Sequence, residues 1–136
     1  AEASNGNQPA PKAAPSGDTK MSDTETILKH HLDCFGAGDL DGLMSDYTDD
    51  SVLFTPEGPL KGRDQIRGVF AGMFEEFSKP GASFEMGTQS VQGDAAYIVW
   101  SAQTADNDYE LGTDTFVMRD GKIAVQSFAG KIVPRS

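Results

Sequence analysis

The chain has 136 residues and a formal net charge of −10, with one cysteine, two histidines and one tryptophan. So acidic a balance argues against nucleic acid as a partner, because binding it requires a basic patch that displaces counterions. A single cysteine excludes an internal disulfide and any multi-cysteine metal centre, and no apolar run approaches the roughly 20 residues that a membrane-spanning helix needs.

Residues 1–20 contain no Ile, Leu, Val, Met or aromatic side chain. Nothing there can join a core, so this stretch is predicted to be a disordered tail, and residues 21–136 suit one domain with a single core. Glu2 and Asp18 cancel Lys12 and Lys20 in the tail, so the net charge lies in the domain, where it favours solubility. The small, polar, Pro/Ala-rich start reads as a mature exported or periplasmic protein after signal removal; the alternative is a cytoplasmic protein with Met21 as its native start.

Ser22 and Glu25 have capping-box spacing, which predicts a helix from about Asp23. Ile27, Leu28, His31, Leu32 and Phe35 form its apolar face, with His31 the polar member, and Gly36 or Gly38 ends it. Asp39 then caps a short helix whose face is Leu40, Leu43, Met44 and Tyr47. A strand is predicted over Val52 to Thr55 and a turn through Pro56, Gly58 and Pro59. After Gly62, Ile66, Val69, Phe70, Met73, Phe74 and Phe77 mark a third helix, stopped by Lys79-Pro80-Gly81. From Ser83 the apolar period becomes two, and turns at Gly93-Asp94, Asp106-Asn107-Asp108 and Asp120-Gly121 cut the remainder into a four-strand antiparallel meander.

The two-residue turn at Asp120-Gly121 fixes the pairing of its flanking strands. Arg119 then faces Lys122, Met118 faces Ile123, Phe116 faces Val125 and Asp114 faces Ser127, with Met118, Phe116 and Asp114 on one side of the sheet. If the helices cover that side, Asp114 is a carboxylate set in an apolar stripe. Burial without a cation raises its pKa, whereas a charged imidazole keeps it ionised. His31, on the inner face of the first helix, is the histidine placed to reach it. Two readings stay open: an acid/base pair in an apolar pocket, or an aspartate bonded to backbone beside a histidine that fills the core.

The order helix, Gly38-Asp39-Leu40-Asp41, short helix, Tyr47-Thr48-Asp49-Asp50-Ser51-Val52, Pro56, Gly62, helix and four-strand meander resembles the SnoaL-like and ketosteroid-isomerase-like branch of the nuclear transport factor 2-like superfamily, over residues 23–133. The resemblance implies an α+β fold of the cystatin-like kind, a cone-shaped, curved antiparallel sheet wrapped around a long helix, with a cavity open at one end. Anchored on Gly38-Asp39, it places His31 where ketosteroid isomerase has its oxyanion-binding tyrosine, Asp114 where it has a protonated aspartate, and Thr55 where it has the catalytic carboxylate. A threonine cannot abstract a carbon-bound proton near neutral pH. The same comparison implies that Tyr47, Thr55, Phe70, Val99, Ser101, Gln103, Phe116, Val125 and Ser127 line the pocket. It also implies a homodimer through the outer sheet face, where alternation puts Ile98 and Trp100.

His30 and His31 point about 100° apart around their helix and cannot share a metal ion. His30 and Cys34 share a face but lack a third ligand, so His30 reads as solvent-facing and Cys34 as a packing residue. The glycines follow no phosphate-loop order. Two functions remain: a small apolar-ligand binding enzyme of the isomerase, cyclase or dehydratase type that uses His31 and Asp114 without cofactor or metal, and a non-catalytic ligand-binding or homodimerisation module of the same fold.

Overall fold

Helix α1 (Asp23–Ala37) begins on the predicted capping box, with the Glu25 amide donating to Ser22 Oγ and the Ser22 amide to Glu25 Oε1. The computed structural model describes residues 22–135, so the tail predicted over residues 1–20 lies outside the described residues. Gly38 closes α1 in the left-handed region at φ 70°, a conformation that a side chain would penalise. Asp39 caps α2 (Leu40–Met44) by accepting from the Gly42 amide at 2.9 Å. That helix is shorter than its predicted face: Tyr47 already belongs to strand β1 (Tyr47–Thr55), which absorbs the Asp49-Asp50 pair expected to mark a helix end. Strand β2 (Gly58–Lys61), expected as a turn, folds back antiparallel on β1. Helix α3 (Arg63–Phe77) follows, and then the meander of β3 (Ser83–Gln92), β4 (Ala95–Gln103), β5 (Asn107–Arg119) and β6 (Lys122–Pro134).

The six strands form one sheet in the order β2-β1-β6-β5-β4-β3, antiparallel except for the β1–β6 pair. Its inner face supplies Leu53, Ala96, Ile98, Phe116, Met118 and Ile123 to a core completed by Leu28 of α1, Leu43 and Met44 of α2, and Ile66 and Phe70 of α3. Val69, Met73, Phe74 and Phe77, on the same stripe of α3, are only half-buried. They line an open cavity, so the apolar face of α3 is divided between core and cavity wall.

Three β-bulges set which side chains face inward. The Asp120-Gly121 pairing holds for Arg119 with Lys122 and Met118 with Ile123, but the extra residue Ala124 then shifts the register by one. Phe116 therefore faces Gln126, not Val125, and Asp114 faces Phe128, not Ser127. A bulge at Glu110-Leu111 and another at Gly87 shift the neighbouring pairs in the same way, each coiling the sheet more tightly.

Trp100 and Ile98 correct the sequence expectation. They are buried on the inner face, because Ile98 pairs with Asp114 and Trp100 with Gly112. Trp100 lies flat between Phe84 and Phe128, its ring stacked on both, and Gly112 makes room for it: a Cβ there would stand 2.4 to 2.8 Å from the indole ring. Gly112→Ala is therefore expected to lower stability by about 2 to 3 kcal/mol through overpacking, with a blue or red shift of the single tryptophan's fluorescence as the indole is displaced. An unchanged spectrum and unfolding midpoint would contradict this placement.

Candidate functional site

Between α1, α3 and the inner sheet face lies a cavity of about 980 Å³. Its walls are largely apolar and aromatic, with Phe35, Phe74, Phe77, Phe84, Trp100 and Phe128 prominent, and it falls at the upper end of the usual size range for small-molecule sites. Exposed Pro56, Glu57, Ser83 and Phe84 stand at its mouth. On the Ser83 side of that mouth, where Ser83 pairs with Gln103, Glu76 of α3 accepts from Thr104 Oγ1, Asn107 Nδ2 and the Tyr109 hydroxyl, pinning the helix to the β4–β5 connection. Burial, then the bond to Glu76, raises the Tyr109 hydroxyl well above the usual phenol range, so it remains a donor.

The polar part of the cavity is one connected chain. Trp100 Nε1 donates to Asp114 Oδ1 at 2.8 Å, and Gln126 Nε2 donates to Asp114 Oδ2 at 2.9 Å. The Tyr47 hydroxyl donates to Gln126 Oε1, and its oxygen lies 3.4 Å from His31 Nδ1. Directions follow from the donor inventory. A hydroxyl that gives its one proton to Gln126 can only accept from the imidazole, so Nδ1 of His31 carries the hydrogen and Nε2 keeps its lone pair. Among the described residues Nε2 has no hydrogen-bond partner, while the ring, buried at 4 % exposure, forms part of the cavity wall.

Burial sets the charge states. It lowers His31 to about 4, with a smaller contribution from His30, so the imidazole is neutral at pH 7. Burial raises Asp114, and the bonds from Trp100 and Gln126 counter part of that rise. Burial, then the charges of Asp114 and Asp46, raises Tyr47 and keeps its hydroxyl protonated. His31 and Asp114 are thus brought into one network, but not as the direct ion pair that a charged imidazole would form; two side chains intervene. Gln126, the central link, was not among the predicted site residues. No local signal marks it, because what moves Gln126 onto the face of Asp114 is the bulge at Ala124, which leaves the turn chemistry unchanged.

Of the other predicted lining residues, Thr55 and Phe70 line the cavity. Thr55 Oγ1 is engaged, donating to the Gly58 carbonyl. Tyr47 and Phe116 are fully buried behind the wall, where both contact the His31 ring edge-on. Val99, Ser101, Gln103, Val125 and Ser127 do not line it. Val99, Ser101 and Gln103 alternate with inward Ile98 and Trp100, and the Ala124 bulge turns Val125 and Ser127 to the outer face.

His30 is not simply solvent-facing: its Nδ1 is 2.6 Å from Asp46 Oδ2, and its Nε2 is 3.5 Å from Cys34 Sγ. With the imidazole between the carboxylate and the thiol, the three cannot converge on one ion, and no cluster of three potential metal ligands occurs among the described residues. Burial, then Asp39, Asp46 and Asp33, raises the Cys34 thiol. It is a packed thiol rather than an activated one.

The SnoaL-like domain family matches residues 28–126. The chain belongs to that family. A search of curated proteins finds no match. Among solved structures, the domain is similar to a nuclear transport factor 2-like protein of unknown function from Mesorhizobium loti, at TM-score 0.70 and 23% identity, covering 84% of this chain and 95% of that one. It is also similar to the epoxide hydrolase/cyclase-like enzyme SalBIII of pyran ring formation in salinomycin, at TM-score 0.69 and 16% identity over 82% and 95% of the two chains. A candidate ketosteroid isomerase from Kribbella flavida gives TM-score 0.66 and 12% identity over 80% and 78%. At these identities the likeness shows the fold alone, an α+β curved sheet shared with these nuclear transport factor 2-like structures.

Proposed function

We propose that this SnoaL-like domain binds a small, largely apolar molecule and carries out cofactor-free acid/base chemistry of the isomerase, cyclase or dehydratase type on it. The observation that carries this reading is the unbroken chain His31–Tyr47–Gln126–Asp114–Trp100 at the wall of an otherwise apolar cavity. His31 Nε2 is the base, a neutral lone pair on a buried ring, and it accepts a proton from an acidic carbon or a hydroxyl of the ligand. Tyr47 holds the imidazole in the required tautomer. Asp114, linked to Tyr47 through Gln126, stabilises the positive charge that develops on the ring. The fold neighbours described as cyclase-like and as a candidate isomerase support this reaction class.

Thr55, with its hydroxyl tied to Gly58, supports the second reading, a non-catalytic ligand-binding or dimerisation module. In that reading the uncharged row on the outer face, where Phe54, Ser127, Thr115 and Tyr97 align across four strands, meets a second copy of the chain.

The test is a thermal-shift screen of polycyclic ketones, aromatic polyketides, terpenoids and fatty acids, followed by deuterium exchange at the acidic carbon of each hit. A ligand at a hundredfold excess over its Kd adds about 2.7 kcal/mol of stability. Exchange catalysed by the wild type and lost in His31→Gln supports the enzyme; binding with exchange no faster than in buffer selects the module.

A further inference from the structure

The cavity's hydrogen-bond inventory restricts the charge of what it holds. Most lining donors are already committed: Trp100 Nε1 and one Gln126 amide proton to Asp114, the Thr55 hydroxyl to Gly58, the Tyr109 hydroxyl to Glu76 and, at the exposed rim, the Ser78 hydroxyl to Glu75. Apart from the second Gln126 amide proton and the exposed Ser83 hydroxyl, what is left facing the ligand is acceptor capacity, the lone pair of His31 Nε2 and the remaining lone pairs of the Asp114 carboxylate. Among the described residues no lysine or arginine lines the cavity, whereas Glu57 stands at its mouth. The chain as a whole carries −10. A carboxylate or phosphate on the ligand would meet no cation and would be repelled from entrance to floor.

Asp114 sharpens this restriction. It is a buried carboxylate with two neutral donors and no basic side chain in contact among the described residues. A buried charge of this kind is stabilised by a counter-charge, and here the ligand is the place for it to come from. The surrounding walls suit the same ligand, because aromatic faces attract a cation while packing against an apolar body. We propose that the ligand of this cavity is an apolar amine, whose ammonium group pairs with Asp114 while its hydrocarbon part lies along the aromatic walls.

This inference rests on the cavity being a ligand site, and a matched series separates the two claims. Naphthylethylamine, naphthylethanol and naphthylacetate share one aromatic body and differ in the charge of the polar end. Titrated calorimetrically into the full chain at pH 7, the amine is expected to bind at least about tenfold more tightly than the alcohol, the difference between a charge-assisted and a neutral hydrogen bond, and the acetate not to bind measurably. In Asp114→Asn, checked for folding by circular dichroism, the advantage of the amine is expected to vanish while the alcohol is retained. Alcohol or acetate binding as tightly as the amine would overturn the charge assignment and leave the ligand site standing. An amine preference unchanged in Asp114→Asn would trace it to the general field of the protein and overturn the pairing. No binding by any of the three overturns the amine assignment here; if the wider panel of apolar ligands also fails, the ligand-site reading falls with it.

Discussion

Gln126→Leu is expected to lower the stability of the domain by about 2 to 5 kcal/mol, one of the two largest effects on the site. Gln126 is 2 % exposed and serves two buried partners at once, accepting from the Tyr47 hydroxyl and donating to Asp114 Oδ2. Leucine fills similar volume, so the loss is polar: one hydroxyl left without an acceptor and one carboxylate oxygen left without its donor. The roughly 1 to 3 kcal/mol for each orphaned group sets the scale. Tyr47→Phe provides the control, because it removes one orphan in advance. In the Tyr47→Phe background, Gln126→Leu is expected to cost about 1 to 2 kcal/mol less than in the wild type. Additive effects in denaturant unfolding would mean that the two side chains are not bonded.

Acidification is expected to destabilise the fold through His31, by about 3 kcal/mol between pH 7 and pH 4. The sign follows from the depressed pKa, about 4 in the folded protein against 6.5 for an unperturbed imidazole. Through that window the unfolded chain takes up a proton that the buried ring refuses, so stability falls with pH and the loss levels off below about pH 4. Asp114 acts in the opposite sense. Its pKa is raised above 3.8, chiefly by burial, so the folded state holds a proton there more readily, and its contribution to stability is lost as pH rises through the folded value. The raw profile mixes both groups. The difference between the wild type and His31→Gln isolates the imidazole, and it should narrow by about 3 kcal/mol from pH 7 to pH 4. A difference independent of pH would place His31 in water.

The helices were legible because their signals are local: the Ser22/Glu25 box, Gly38, the Asp39 cap and the six-residue apolar stripe of α3 each state a boundary or a face by themselves. The meander was legible for the same reason, with turns at Gly93-Asp94 and Asp120-Gly121, although the middle connection is Thr104 to Asp106 and Asn107-Asp108, expected in the turn, already belong to β5. Asp114, Phe116 and Met118 were also placed on their correct common face. The phase of the neighbouring strands was not legible. Ile98, Val99 and Trp100 are apolar in succession, so alternation alone gives either face, and what decides is Gly112 opposite Trp100, a pairing the three-residue β4–β5 connection does not fix. The Ala124 bulge is similarly silent, since one inserted alanine leaves composition and turn chemistry unchanged while it exchanges Val125 and Ser127 for Gln126 and Phe128. The site was therefore half readable: its two ends, His31 and Asp114, lie on elements whose faces the sequence defines, and the links between them, Tyr47 and Gln126, depend on where a helix gives way to a strand and where a strand slips by one residue.

The most direct test of the central claim is a long-range ¹H–¹⁵N spectrum of the two histidine side chains in the free protein at pH 7. The hydrogen-bond chain predicts that His31 is neutral, protonated at Nδ1 and bare at Nε2, with His30 resolved by its loss in His30→Gln. An imidazolium, or a neutral ring protonated at Nε2, would contradict the chain's direction and with it the assignment of His31 as a base facing the cavity.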